Sequence, residues 1–253
     1  MTLSAIAPRT KALLLAGGLG TRLRPLTDST PKCLVEISGR PLLDYWFEAL
    51  GAARIRDILI NTHHLPALVD RFVARKNQMG FSAVASFEPT LLGSAGTIAA
   101  HPRWADDTDD VLIIYADNLS DLDVGALLQT HRQHAQGVTM LLFRAPDPRA
   151  CGIAKLDASG LVTAFEEKPA EPQSDLANAG VYAVTAQAWR EIAAMQAFDI
   201  GFDVLPQFVG RMQGHLHTGY HRDIGTLTAL EEARAAAHIV FSPTAIPRAG
   251  TQA

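Results

Sequence analysis

Residues 111–116, Val-Leu-Ile-Ile-Tyr-Ala, offer almost no polar face. A strand of this kind has to be covered on both sides, which is the situation of a central strand in a parallel sheet. The run at 11–16, Lys-Ala-Leu-Leu-Leu-Ala, has the same character. Helix signals alternate with such runs. Pro41 opens a helix that carries Leu42, Leu43, Trp46, Phe47 and Leu50 on one side. Strands are expected at 57–61 and 81–87 and a helix at 66–79. A helix begins at 94–100 with Ser94 as its cap. Helix 124–134 and strand 138–143 complete the pattern. The order implies a mostly parallel sheet with helices on both faces. Ligands of such sheets bind beyond the carboxyl ends of the strands. The loops after Ala16, Phe87 and Ala116 are therefore where chemistry is sought.

The second half changes character. Runs 152–156 and 161–165 flank the turn Asp157-Ala158-Ser159-Gly160 and read as a hairpin. A strand follows at 178–184, then helices at 185–197 and 203–212, a short strand at 216–221 and a last helix at 226–240. The fold class is α/β: one Rossmann-like, three-layer α/β/α domain over 10–241, with a mostly parallel mixed sheet and a smaller β-rich portion. Residues 1–9 are expected to form a flexible leader. Residues 242–253, with Pro243, Pro247 and Gly250, are expected to form a flexible tail.

The chain has 253 residues, enough for a substantial core, and is 48% hydrophobic and 19% charged. Its formal charge of −4 gives no long-range attraction to nucleic acid or anionic membrane, so neither is expected as a partner. No run approaches the ~20 apolar residues of a membrane span. The two cysteines, Cys33 and Cys151, form no CxxC pair, and the nine histidines show no metal-ligand spacing. Two unpaired thiols suit a reducing cytoplasm.

The loop after the first strand carries the strongest chemical signal. Residues 13–37 read LLLAGGLGTRLRPLTDSTPKCLVEI. Glycines at a strand end let the backbone approach a ligand, and their amides can converge into an anion-binding concavity. Arg22 and Arg24 supply fixed, multi-donor charge for phosphate oxygens, and Lys32 a compact mobile one. The loop is not a Walker A motif. It is not a dinucleotide fingerprint either, since Leu23 stands where a third glycine or alanine is required.

The string Gly17-Gly18-Leu19-Gly20-Thr21-Arg22-Leu23-Arg24-Pro25-Leu26-Thr27, followed by Pro31-Lys32, resembles the signature of the sugar-1-phosphate nucleotidyltransferases. The resemblance extends to about residue 240. It implies a nucleotide-binding part at about 10–145 and a sugar-phosphate-binding part at about 146–241. It implies that Ala16, Gly17, Gly18, Gly20 and Thr21 hold the nucleotide phosphates. Arg22 then bears on the α and β phosphates and Lys32 neutralises charge at the reacting phosphate. The segment from Glu88 through Gly93, Ser94, Ala95 and Gly96 is similar to the family's base-recognition stretch.

By the same resemblance Asp117, after the apolar strand, and Asp223, in Arg222-Asp223-Ile224-Gly225-Thr226, hold Mg2+. A hard cation suits such oxygen ligands. Arg22, Lys32 and Asp117 are the implied catalytic residues. Asn118, Gly152, Glu167 and Lys168 of Glu166-Glu167-Lys168-Pro169, Asn178 and Gly180 are placed with the sugar phosphate. No catalytic role is assigned to Asp203, and His63 and His64 are expected to face solvent or line the pocket.

The implied reaction makes an NDP-sugar and pyrophosphate from a nucleoside triphosphate and a sugar 1-phosphate. The pattern is most similar to the branch using GTP with mannose or manno-heptose 1-phosphate. A uridylyltransferase acting on glucose-type or muramic sugars is an alternative. So are a nucleotide-sugar-dependent glycosyltransferase and a non-catalytic ligand-sensing paralogue. The apolar residues of the last helix leave a homodimer open.

Overall fold

The computed structural model describes residues 8–134 and 136–241. The expected leader and tail therefore fall largely outside the described residues. Arg9, assigned to the leader, is already anchored. Its guanidinium pairs with Asp57 at 3.0 Å and Asp107 at 2.9 Å, and its amide donates to Asp109.

The chain begins with β1 (Thr10–Leu15), whose strand is followed by a long loop of short 3-10 turns. A small hairpin of β2 (Glu36–Ile37) and β3 (Arg40–Pro41) leads into α1 (Leu42–Ala52). Then come β4 (Asp57–Thr62), α2 (Pro66–Gln78), β5 (Ser82–Phe87) and α3 (Ser94–Ala100). They are followed by β6 (Asp110–Tyr115), β7 (Asn118–Ser120), α4 (Val124–Gln133) and β8 (Val138–Arg144). The second half supplies β9 (Gly152–Leu156), β10 (Val162–Glu167), β11 (Leu176–Thr185) and α5 (Ala186–Ala194). It ends with β12 (Met212–Leu216), β13 (His221–Asp223) and α6 (Leu227–Val240).

Nine of the described strands form one sheet. The pairs β5–β4, β4–β1 and β1–β6 are parallel, as is β8–β12. Strand β11 runs antiparallel between β6 and β8, and β9 takes over beside its first half. The sheet thus runs through both halves of the chain. Along β1, Ala12 and Leu14 pack into the layer of α1, α2 and α4, while Leu13 and Leu15 pack into that of α3 and α5. Leu112 and Ile114 of β6 alternate with Val111 and Ile113 in the same way. Both strands are buried on both faces, which is why neither has a polar side.

Two elements differ from expectation. Residues 203–212 do not form a helix: a π turn at Ile200–Val204 and a 3-10 turn at Leu205–Phe208 precede β12. Pro206 lacks the amide a helix needs, Gly210 takes φ +81°, and β8 offers a parallel edge that Met212–Leu216 joins. The single strand expected at 216–221 is split. Leu216 ends β12, and Asp121 Oδ1 accepts from the Tyr220 amide at 2.7 Å, turning the chain into β13. β13 pairs with β7 outside the main sheet, an interaction with no apolar run to announce it.

Candidate active site

The glycine loop leaves β1 at the carboxyl edge of the sheet and folds back on itself. Gly20 takes φ +63°, a conformation open to glycine, and a Cβ there would stand 2.9 Å from Thr27 Cγ2. Thr27 Oγ1 donates to the Gly20 carbonyl at 2.8 Å. His64 Nε2 lies 2.7 Å from the Thr27 carbonyl oxygen, so that ring nitrogen carries the proton. The loop is thereby tied to the end of β4.

Asn61, at the end of β4, holds the start of the loop. Its Oδ1 accepts from the Ala16 amide at 2.7 Å and the Gly17 amide at 3.3 Å. Its Nδ2 donates to Glu88 Oε1 at 3.1 Å and Thr97 Oγ1 at 3.2 Å. Thr97 Oγ1 lies 2.6 Å from the same Glu88 oxygen, and Glu88 Oε2 accepts from the Leu92 amide. Glu88 is buried, with both oxygens engaged by the protein. It shapes the segment that follows rather than presenting a free carboxylate. The sequence reading missed Asn61, and it placed Thr97 at the end of the base-recognition stretch without a role of its own. The strand-end rule, applied to the second strand as to the first, finds Asn61.

In the segment that resembles a base-recognition stretch, the amide of Ala95 is engaged by the protein itself. The Ala95 amide donates to the Phe198 carbonyl at 3.0 Å, and Ala95 is fully buried. Ser94 does not cap α3. Its hydroxyl donates to Asp199 Oδ2 at 3.2 Å and accepts from the Ile200 amide at 2.8 Å. The sequence shows no cue for this, because 105 residues separate Ser94 from Asp199.

The charged centre forms where β7 and β13 pair. Asp223 lies opposite Asn118, and the Ile224 amide donates to the Asp117 carbonyl at 3.0 Å. The two aspartates are thus brought side by side. The Lys32 ammonium stands between them, 2.6 Å from Asp117 Oδ2 and 3.1 Å from Asp223 Oδ1. Its side chain is only 9% exposed, whereas those of Asp117 and Asp223 are 37% and 56% exposed, so the carboxylates form the accessible rim. Arg22 is exposed and packs on Gly225. A Cβ there would meet Arg22 Nη2 at 2.8 Å and Asp223 Oδ2 at 2.6 Å. Gly225 leaves bare backbone beneath both the Arg22 guanidinium and the Asp223 carboxylate.

The remaining residues line the adjoining side. Asn118 is buried, donating from Nδ2 to the Ala179 carbonyl at 3.1 Å. Asn178 Oδ1 accepts from the Gly180 amide at 2.9 Å, and its Nδ2 donates to Tyr182 Oη at 2.7 Å. Gly180, at φ +67°, marks the irregularity in β11, where a Cβ would press on Tyr115 at 3.0 Å. The Glu167 carboxylate fills the space above Gly152, whose Cβ would stand 2.3 Å from Oε2. Burial raises the pKa of Glu167, and nearby Asp199 adds to the effect while Lys168 opposes it. Lys168 is exposed at φ +50°, and its ammonium lies 5.9 Å from the centroid of the Phe202 ring. Glycine loop, paired aspartates, lysines and this bulged strand share one edge of the sheet.

The nucleotidyl transferase family model matches residues 11–238. The chain belongs to the nucleotidyl transferase family. A relative from Mycobacterium tuberculosis named mannose-1-phosphate guanylyltransferase is 32% identical over 220 residues, 85% of this chain and 61% of that one. A Streptomyces antibioticus glucose-1-phosphate thymidylyltransferase is 36% identical over 188 residues, 74% of this chain and 52% of its own. This nucleotidyl transferase chain therefore spans between half and two thirds of these curated relatives. Among solved structures, a Bacillus anthracis chain described as a glucose-1-phosphate thymidylyltransferase, in complex with a sucrose, superposes with a TM-score of 0.82. It is 26% identical, and the match covers 90% of this chain and 95% of that one. The nucleotidyl transferase fold is thus shared over nearly the whole described chain.

Proposed function

We propose that the chain joins a sugar 1-phosphate to a nucleoside triphosphate, releasing pyrophosphate, with GTP and mannose or manno-heptose 1-phosphate as the preferred pair. The observation that carries this reading is the Lys32 ammonium set between Asp117 and Asp223 beside the glycine loop. An oxygen of the sugar phosphate attacks the α-phosphorus, and the bond from that phosphorus to the β-phosphate oxygen breaks. The attacking phosphate is already anionic near neutral pH, so the reaction needs no dedicated base. The obstacle is repulsion between two polyanions, which positioned cations relieve.

The loop backbone at Gly17, Gly18 and Gly20 receives the triphosphate. Gly18 is exposed, and no protein atom lies within 4 Å of where its Cβ would stand. Arg22 and Lys32 neutralise the nucleotide phosphates, and Lys168 the sugar phosphate. Glu167 accepts from a sugar hydroxyl. Asp117 and Asp223 would hold Mg2+. Among the described residues no group of three or more His, Cys, Asp or Glu side chains converges as a metal cage. Two carboxylates with substrate oxygens completing the shell suit Mg2+, which rarely uses an all-protein cage. A cation held there would offset the negative charge that builds up between the substrates.

A specific observation favours a second reading of base and sugar. The Streptomyces relative and the solved Bacillus structure both carry the glucose-1-phosphate thymidylyltransferase name. A thermal-shift titration with GTP, UTP, CTP and dTTP separates the two. A ligand at about a hundred times its Kd adds about 2.7 kcal/mol of stability. GTP is expected to give the largest rise. A larger rise with dTTP reassigns the base, and no rise with any triphosphate contradicts the nucleotide site.

A further inference from the structure

Residues 197–203, which join the two expected helices at 185–197 and 203–212, form a compact strap built on its own carboxylates. Asp203 Oδ2 accepts from the amides of Phe198 at 3.0 Å and Asp199 at 2.8 Å. Asp199 Oδ1 accepts from the Phe202 amide at 2.9 Å. The strap docks on the start of α3 at three points. The Phe198 carbonyl takes the Ala95 amide, and the Ser94 hydroxyl bridges Asp199 Oδ2 and the Ile200 amide. Gly93, at φ +79°, makes the approach possible, since a Cβ there would stand 2.2 Å from the Phe198 carbonyl oxygen.

The far side of the strap faces Glu167. A Cβ on Gly201 would lie 2.8 Å from Glu167 Oε2, and one on Gly152 would lie 2.3 Å from it. The carboxylate is therefore seated between two bare stretches of backbone, one from β9 and one from the strap. Phe202, the next residue, lies under Lys168. The Tyr115 phenol, whose pKa is raised by burial, has Ser94, Asp199 and Glu167 as its neighbours.

We infer that Ser94 serves the sugar side of the reaction rather than the base: its hydroxyl clasps the strap, and the strap's Gly201 seats Glu167 against the sugar 1-phosphate. This rests on the functional reading above. Ser94 and Gly201 are positioning residues, acting through Glu167 and, by way of Phe202, through Lys168. Ser94 lies in the stretch that resembles a base-recognition segment, so the two assignments predict opposite effects of its loss.

The test measures binding of each substrate separately by calorimetry. The full chain is titrated with GTP, and independently with mannose, manno-heptose and glucose 1-phosphate. Ser94→Ala removes the clasp, Gly201→Ala crowds the seat from the other end, and Ser94→Thr restores a hydroxyl. Ser94→Ala and Gly201→Ala are each expected to weaken the better-bound sugar phosphate about tenfold, the scale of one lost buried hydrogen bond. GTP affinity is expected to stay within about twofold, and Ser94→Thr to recover most of the loss. If Ser94→Ala fails to fold, Gly201→Ala still decides. Weakened GTP binding with unchanged sugar-phosphate binding in either variant overturns the inference. A wild type that binds GTP but none of mannose, manno-heptose and glucose 1-phosphate overturns the functional reading itself.

Discussion

The Lys32 ammonium lies 2.6 Å from Asp117 Oδ2, joining residues 85 positions apart at the carboxyl edge of the sheet. The same ammonium reaches Asp223, so one cation holds two carboxylates together. Removing it leaves like charges side by side. Lys32→Met is expected to lower kcat by about 10²–10³, the scale of one lost preorganised charge contact. Its thermal midpoint should fall without Mg2+ and rise more steeply with added Mg2+ than the wild type's does, because the divalent ion no longer competes with an ammonium. Equal Mg2+ responses in the two proteins would show that lysine and metal do not share these carboxylates.

Much of this was legible in the sequence. The apolar runs of β1 and β6 have no polar face because both sheet faces are covered, and that alone dictates central strands. Arg22 and Lys32 stand out by type and spacing after the glycines, and the resemblance to the family singles out Asp117 and Asp223. What was not legible depends on pairing across the chain. β7 and β13 are three residues each, and only their register brings Asp223 beside Asp117. Ser94 reads as a cap because local sequence is blind to Asp199. A helix was expected to begin at Asp203, but its carboxylate instead accepts from the amides of Phe198 and Asp199 and closes a strap that local sequence does not announce.

Asn61 fastens the glycine loop to the segment after β5 through four hydrogen bonds. Asn61→Ala leaves two loop amides and the buried Glu88 without that partner. A loss of about 1–3 kcal/mol in stability is expected. The KM for nucleoside triphosphate should rise while that for sugar 1-phosphate changes little. Denaturant unfolding and steady-state kinetics read the two effects, and an unchanged triphosphate KM would separate Asn61 from the nucleotide site.

The His221 ring packs at a tilt against Phe143, with ring centroids 4.8 Å apart. Burial, then the charge of His217, lowers its pKa from 6.5 to about 3. The folded protein therefore favours the neutral ring, and below pH 6.5 the unfolded chain binds a proton that the folded chain refuses. Stability is present above that pH and falls as pH drops toward 3, by about 1.4 kcal/mol per unit for one proton. His221→Phe should flatten the acid limb of a plot of unfolding free energy against pH. An unaltered limb would place the titration elsewhere.

The most direct measurement of the central claim is pyrophosphate release by the purified chain. With GTP, mannose 1-phosphate and Mg2+ together, release is expected at a rate that saturates in both substrates, with a GDP-sugar formed in equal amount. Omitting any one of the three should abolish it. No release from any pairing of GTP, UTP, CTP or dTTP with mannose, manno-heptose, glucose or muramic-type 1-phosphates would contradict the account.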